Sequence, residues 1–198
     1  MTSIQAKKNN DYFHICGGSV INKNFVLSAA HCFESFQQSD MKCVFGTSDL
    51  SYSTPERQEI EIEEIIKHPK YKKGTSYYDM ALIKLTQDLE FSDSISPICI
   101  PELATQDANH RAHDATTLTG WGATESKGQS SSILRQGQLT IFDTEYCNAS
   151  RIGLDRHGNM IAESNLVPDL FQSSVLCAGK VLSISYGRGI NTLAITWK

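Results

Sequence analysis

Seven short apolar runs, each closed by turn residues, dominate this chain: Ser19 to Leu27, Lys42 to Gly46, Gln58 to Lys67, Met80 to Leu85, Thr116 to Gly120, Leu134 to Ile141 and Ser174 to Ala178. Runs of this length between turn signals are the pattern of an all-β protein. The clearest is Glu59-Ile60-Glu61-Ile62-Glu63, whose period of two puts the isoleucines on a core face and the glutamates in water. Paired carboxylates also serve acid-base chemistry, but a solvated strand face accounts for these. The 198 residues are 40% hydrophobic, enough to bury a sizeable core in one or two compact units.

Several function classes fall away on composition. The formal net charge is -4 and the basic residues are scattered, so there is no electrostatic footprint for a phosphate backbone and nucleic acid is not expected as a partner. No apolar run approaches the roughly 20 residues of a membrane-spanning helix. Met1 to His14 is polar, without the apolar core of a signal peptide. Six cysteines with no Cys-x-x-Cys pair argue against a zinc knuckle or a thioredoxin-type site, and an even number fits a disulfide framework in an oxidising compartment. A secreted protein needs a leader, so the expectation is that the natural N-terminus lies outside these residues. Pro97, Pro101 and the polar stretch Glu102 to Asp114 read as a crossover between two halves, and Glu125 to Ser132 as an exposed flexible loop.

Five blocks, the first in two parts, carry a resemblance. His14-Ile15-Cys16-Gly17-Gly18-Ser19-Val20-Ile21 is followed by Phe25-Val26-Leu27-Ser28-Ala29-Ala30-His31-Cys32, then Tyr78-Asp79-Met80-Ala81-Leu82-Ile83-Lys84-Leu85, Pro97-Ile98-Cys99-Ile100-Pro101, Thr119-Gly120-Trp121-Gly122, and Val175-Leu176-Cys177-Ala178-Gly179. In this order and spacing they resemble the trypsin-like serine proteases of the chymotrypsin fold. The implied fold is all-β: two antiparallel six-stranded β-barrels, the second incomplete in this chain, with the active site in the cleft between them. The implied division is a first barrel over 1–95, a linker over 96–114 and an incomplete second barrel over 115–198.

The resemblance implies that His31 is the general base and Asp79 the carboxylate that fixes its tautomer and stabilises the imidazolium. A satisfied buried histidine is the plainer reading of a lone His, and the flanks of His31 together with Asp79 argue against it. His14 and His68 read as structural positions, and His110 and His113 as members of a solvated loop. No metal and no cofactor is assigned. The family's calcium loop follows Phe45-Gly46, and its acidic ligand positions fall on Thr47, Thr54 and Arg57, which do not supply the carboxylate oxygens that calcium takes.

Cys16 and Cys32 match the family's bridge around the histidine loop, worth roughly 3 kcal/mol in the chain-entropy model for a loop of about 15 residues. Cys147 and Cys177 match a second bridge. Cys99 matches a position that pairs with a propeptide in some members, Cys43 has no counterpart, and a Cys43 to Cys99 bond stays open. Asn148-Ala149-Ser150 is an N-glycosylation sequon.

After Gly179 the family pattern calls for Gly-Asp-Ser-Gly-Gly, and no such sequence occurs in the 198 residues. Ser183 and Ser185 do not stand in a glycine-rich turn that would present a nucleophile beside oxyanion-hole amides. Ser185-Tyr186-Gly187 resembles the family's later Ser-Trp-Gly strand, as after a skipped exon; read-through or a frameshift is the other explanation. Two classes of function follow. One is a piece of a secreted, monomeric serine endopeptidase that acts on protein or peptide substrates and meets protease inhibitors, inactive as the chain stands. The other is a non-catalytic protease homologue acting as a binding module.

Overall fold

The computed structural model describes residues 1–74, 78–100, 115–124, 128–142, 152–154, 160–162, 177–180 and 191–194. Among them run the strands β1 (Thr2–Lys8), β2 (Asp11–Val20), β3 (Phe25–Ser28), β4 (Met41–Phe45), β5 (Gln58–Lys67), β6 (Ala81–Leu85), β7 (Ala115–Gly120), β8 (Arg135–Phe142), β9 (Ile152–Leu154), β10 (Met160–Ala162), β11 (Cys177–Lys180) and β12 (Asn191–Ala194), with short 3-10 turns at Ala30–Phe33 and Gln38–Asp40. No helix among the described residues is long and apolar enough to cross a membrane. The chain divides into two compact units, one formed chiefly by Met1–Ile100 with Thr119–Gln136, the other chiefly by Gly137–Thr196 with Pro101–Leu118.

In the first unit, β1 to β6 close a barrel in the order β1-β2-β3-β6-β5-β4, with antiparallel pairing at every seam. Closure removes the free edges that an open sheet would expose. On β5 the expected alternation is present: Ile60 and Ile62 are buried while Glu59, Glu61 and Glu63 face water. Two of the glutamates are paired with cations: Glu59 with Lys42 on β4 and with Arg57 just before β5, and Glu63 with Lys84 on β6. A register shift between Ile62 and Glu64 interrupts the ladder as a β-bulge does, re-aiming the residues beyond it. Inside, Ile4, Val26, Phe45, Ile60, Ile83 and Leu85 are essentially inaccessible. Gly18 is required by packing, because a Cβ there would lie 2.6 Å from Val26 Cγ1 and 3.0 Å from Thr2 Cγ2.

Two local features are decided by the tertiary structure. The run Ser19 to Leu27 holds parts of two strands: β2 ends at Val20 and β3 starts at Phe25. Between them Asn22 Oδ1 accepts the amides of Asn24 and Phe25 at 3.0 and 2.8 Å, the local bonding by which Asn favours turns. The polar stretch from Met1 to His14 holds a buried strand, with Thr2, Ser3, Ile4, Gln5 and Ala6 all inaccessible. Here β1 lies between β2 and β4, and two of its buried hydroxyls find partners there: Thr2 Oγ1 donates to Val44 O at 2.8 Å, and Ser3 Oγ bonds His14 Nδ1 at 2.8 Å. Asn9 and Asn10, both at positive φ, join β1 to β2 in the two-residue turn that asparagine tolerates.

The second unit contributes a four-stranded sheet, β12-β11-β8-β7, and a two-stranded pair, β10-β9. Cys177 is central, paired with Ala194 on one side and Phe142 on the other. The described strands thus form one closed barrel and a second, incomplete sheet, as the resemblance implies. Cys147, Asn148, His110, His113, Ser183 and Ser185 lie outside the described residues.

Candidate active site

The pairing of β3 with β6 brings the two key side chains together. Ser28 faces Ala81 in that ladder, so the chain leaving β3 and the chain entering β6 emerge at the same end. His31 follows three residues after Ser28, and Asp79 precedes Ala81 by two. Local sequence places neither beside the other; antiparallel register across 48 residues does.

Asp79 takes two hydrogen bonds from His31. The backbone N–H donates to Oδ1 at 2.9 Å, and ring Nδ1 lies 2.6 Å from Oδ2. A carboxylate only accepts, so the proton of the neutral ring sits on Nδ1 and Nε2 keeps its lone pair, with the disulfide sulfur of Cys32, which has no proton to donate, 3.7 Å away. Side-chain exposure is 30% for His31 and 12% for Asp79, which shelters the carboxylate and leaves the ring open to a reactant. Chemically, such an arrangement can hold an imidazole in one tautomer and one orientation, with an anion beside it that would stabilise the protonated ring.

Several contacts hold the 3-10 turn that carries His31. Cys32 is bonded to Cys16, a closure across 16 residues, and Ser28 Oγ donates to Gly17 O at 2.9 Å. Lys67 Nζ donates to Phe33 O at 3.0 Å. Tyr71 OH donates to Glu34 Oε1 in a close contact. Burial, that hydrogen bond and the charges of Glu34 and Asp79 push the Tyr71 phenol well up, so it remains a donor at neutral pH. The sequence reading missed Tyr71 and Glu34, because 37 residues separate them and no short motif joins them.

The other histidines and cysteines divide by environment. His14 bonds Ser3, packs its ring 5.8 Å from that of Trp121, and burial lowers its pKa. His68, read from the sequence as a structural position, stacks on Tyr78. Cys43 and Cys99 are both free thiols, one buried and one exposed, so the bond left open between them is not formed. Burial pushes the Cys43 thiol up to about 12, which removes its thiolate and its reactivity.

Among the described residues the donor cluster Cys16, His31 and Cys32 lies within 4.8 Å, but its two sulfurs are committed to the disulfide. In the segment after Gly46, Arg57 Nη1 donates to the carbonyls of Tyr52 and Leu50 at 2.8 and 3.3 Å, and its guanidinium pairs with Glu59. A built-in cation therefore occupies the carbonyl oxygens of this loop, and Thr47 bonds Asp49 within it.

With this geometry in place, the comparisons with known proteins are consistent. The sequence profile described as Trypsin matches residues 1–183. The chain is 33% identical over 168 residues to serine proteinase stubble of Drosophila melanogaster, covering 84% of this chain and 19% of that protein. It is 35% identical over 147 residues to the clotting factor G beta subunit of Tachypleus tridentatus, covering 72% of this chain and 46% of that protein. The match thus spans less than half the length of either relative.

Proposed function

Because the chain belongs to the trypsin family of serine proteases, we propose that it is part of a secreted serine endopeptidase that cleaves protein or peptide substrates by acyl transfer. The observation that carries this reading is the His31 to Asp79 pair, 2.6 Å from Nδ1 to Oδ2, with Nε2 unblocked by the carboxylate. In this role His31 Nε2 takes the proton from an attacking serine hydroxyl and later returns it to the leaving amine. Asp79 holds the tautomer and stabilises the imidazolium without itself taking the proton. The serine belongs to a Gly-Asp-Ser-Gly-Gly loop that the 198 residues do not contain. The chain alone is therefore inert: loss of a nucleophile costs on the order of 10⁶ in kcat, and the oxyanion hole goes with it. Extracellular location, a monomeric state, a Cys147 to Cys177 bridge and inhibition by protease inhibitors belong to the same proposal.

A second reading, a non-catalytic homologue that binds partners through its barrel surface, is favoured by one fact, the missing Gly-Asp-Ser-Gly-Gly sequence. An intact base with its orienting carboxylate weighs against it, since a binding module has no chemical need of either. Sequencing full-length cDNA separates the two. The protease reading expects an in-frame message that runs from near Gly179 into Gly-Asp-Ser-Gly-Gly, whose product hydrolyses a peptide ester and loses that activity in His31→Ala. A message with glycine at the serine position, or a dominant message that ends at Lys198, would support the binding module. Ester turnover by the 198-residue chain that vanishes in His31→Ala would overturn the claim of inertness.

A further inference from the structure

Tyr78, immediately before Asp79, has φ +52°. For a bulky L-residue this left-handed conformation is an outlier, whereas asparagine, found at the other positive-φ non-glycine positions among the described residues, enters it readily. Such a conformation persists only where the surroundings enforce it. The ring packed on Tyr78 belongs to His68, with centroids 4.9 Å apart and planes at 8°, and Lys70 Nζ lies 5.3 Å from the centroid of the Tyr78 ring. The His68 ring is itself oriented by the Lys70 amide, which donates to Nδ1 at 3.2 Å. The His68 backbone amide donates to Met80 O at 2.9 Å, and the Met80 amide donates to Tyr78 O at 2.7 Å. Both chain neighbours of Asp79 are thus tied to one residue, Tyr78 through its ring and Met80 through its backbone.

We propose that Tyr78, clamped on His68, is a positioning residue that holds Asp79 in the orientation in which its carboxylate receives His31. The stack compensates for the left-handed backbone, and the tight turn it enforces aims Asp79 across at the 3-10 turn of Ala30–Phe33. This rests on the reading of Asp79 as the orienting carboxylate, but the contact it explains is present whatever serine the full protein supplies.

The test uses the 198-residue chain and NMR, and needs no turnover. Two signals report the contact: exchange of the His31 amide, whose acceptor is Asp79 Oδ1, and the low-field proton on His31 Nδ1, whose acceptor is Oδ2. Tyr78→Phe keeps the stack and should match the parent on both. Tyr78→Ala keeps the backbone strain without the stack and should speed His31 amide exchange about tenfold, the scale of an aromatic pair's contribution, and broaden the Nδ1 proton. Tyr78→Gly relieves the strain and should fall between them. The amides of Val26 and Ile83 in the barrel should keep their parent rates in all three. The proposal is overturned if Tyr78→Ala leaves both His31 signals unchanged, if Tyr78→Phe is as disruptive as Tyr78→Ala, or if Val26 and Ile83 accelerate as much as His31. Failure of the protease reading would instead appear in the cDNA and leave these signals as predicted.

Discussion

Replacing both Cys16 and Cys32 by alanine removes the covalent tie between β2 and the His31 turn. The bond closes 16 residues of chain, and the entropy of closing such a loop in the unfolded state amounts to roughly 3 kcal/mol at 25 °C. Both sulfurs are buried, so their loss adds a packing cost of about 1 kcal/mol. A barrel of about a hundred residues shifts its midpoint by roughly 4–8 °C per kcal/mol, which puts the expected fall at roughly 15 °C or more. The measurement is hydrogen exchange followed residue by residue, because the two compact units need not unfold together. Amides of Val26 and Ile83 report the barrel, and that of His31 reports the site. All three should lose protection, His31 most, since its turn then keeps its noncovalent contacts through Asp79, Ser28, Lys67 and Tyr71 but no covalent tie. If the double variant lies within about 1 kcal/mol of the parent, the chain-entropy reasoning is wrong for this loop and the β2–β3 ladder alone holds the turn. Non-reducing peptide mapping that pairs Cys16 with any other cysteine would remove the premise altogether.

Three further outcomes are expected. Gly18→Ala places a Cβ 2.6 Å from Val26 Cγ1 and 3.2 Å from Leu27 O, so denaturant unfolding should show a loss of about 1–3 kcal/mol; a neutral result would mean that β2 and β3 separate freely. His14 has a lowered folded-state pKa because of burial, so the unfolded chain binds the proton more readily. Its stabilising effect is then complete above the ordinary value of about 6.5 and declines as pH falls below it. Thermal midpoints at pH 7.5 and 5.5 should therefore separate more in the parent than in His14→Gln, and equal separations would contradict the assignment. Arg57→Gln removes the donors to Leu50 O and Tyr52 O and the pairing with Glu59, and should cost about 1–3 kcal/mol. Calcium at about 1 mM should not restore the midpoint, and restoration would show that the loop retains a usable cation site.

What the sequence by itself determined is whatever depends on period and on short motifs. The two-residue alternation around Ile60 and Ile62 identifies a half-buried strand wherever that strand pairs, and the five ordered blocks around His31, Asp79 and Trp121 identify the family. Composition could not reveal β1, because Thr2, Ser3 and Gln5 look like solvent-facing residues until a neighbouring strand accepts Thr2 and a histidine meets Ser3. It could not pair Tyr71 with Glu34 or His68 with Tyr78, for those contacts join segments with no local signal between them. Nor could it settle Cys43, whose isolation from Cys99 is a matter of where each cysteine lies in three dimensions. The barrel's closure decided these, since only the register of β3 against β6 puts a carboxylate within 2.6 Å of an imidazole 48 residues away, and hydrogen bonds depend on distances in space that the order of residues along a chain does not specify.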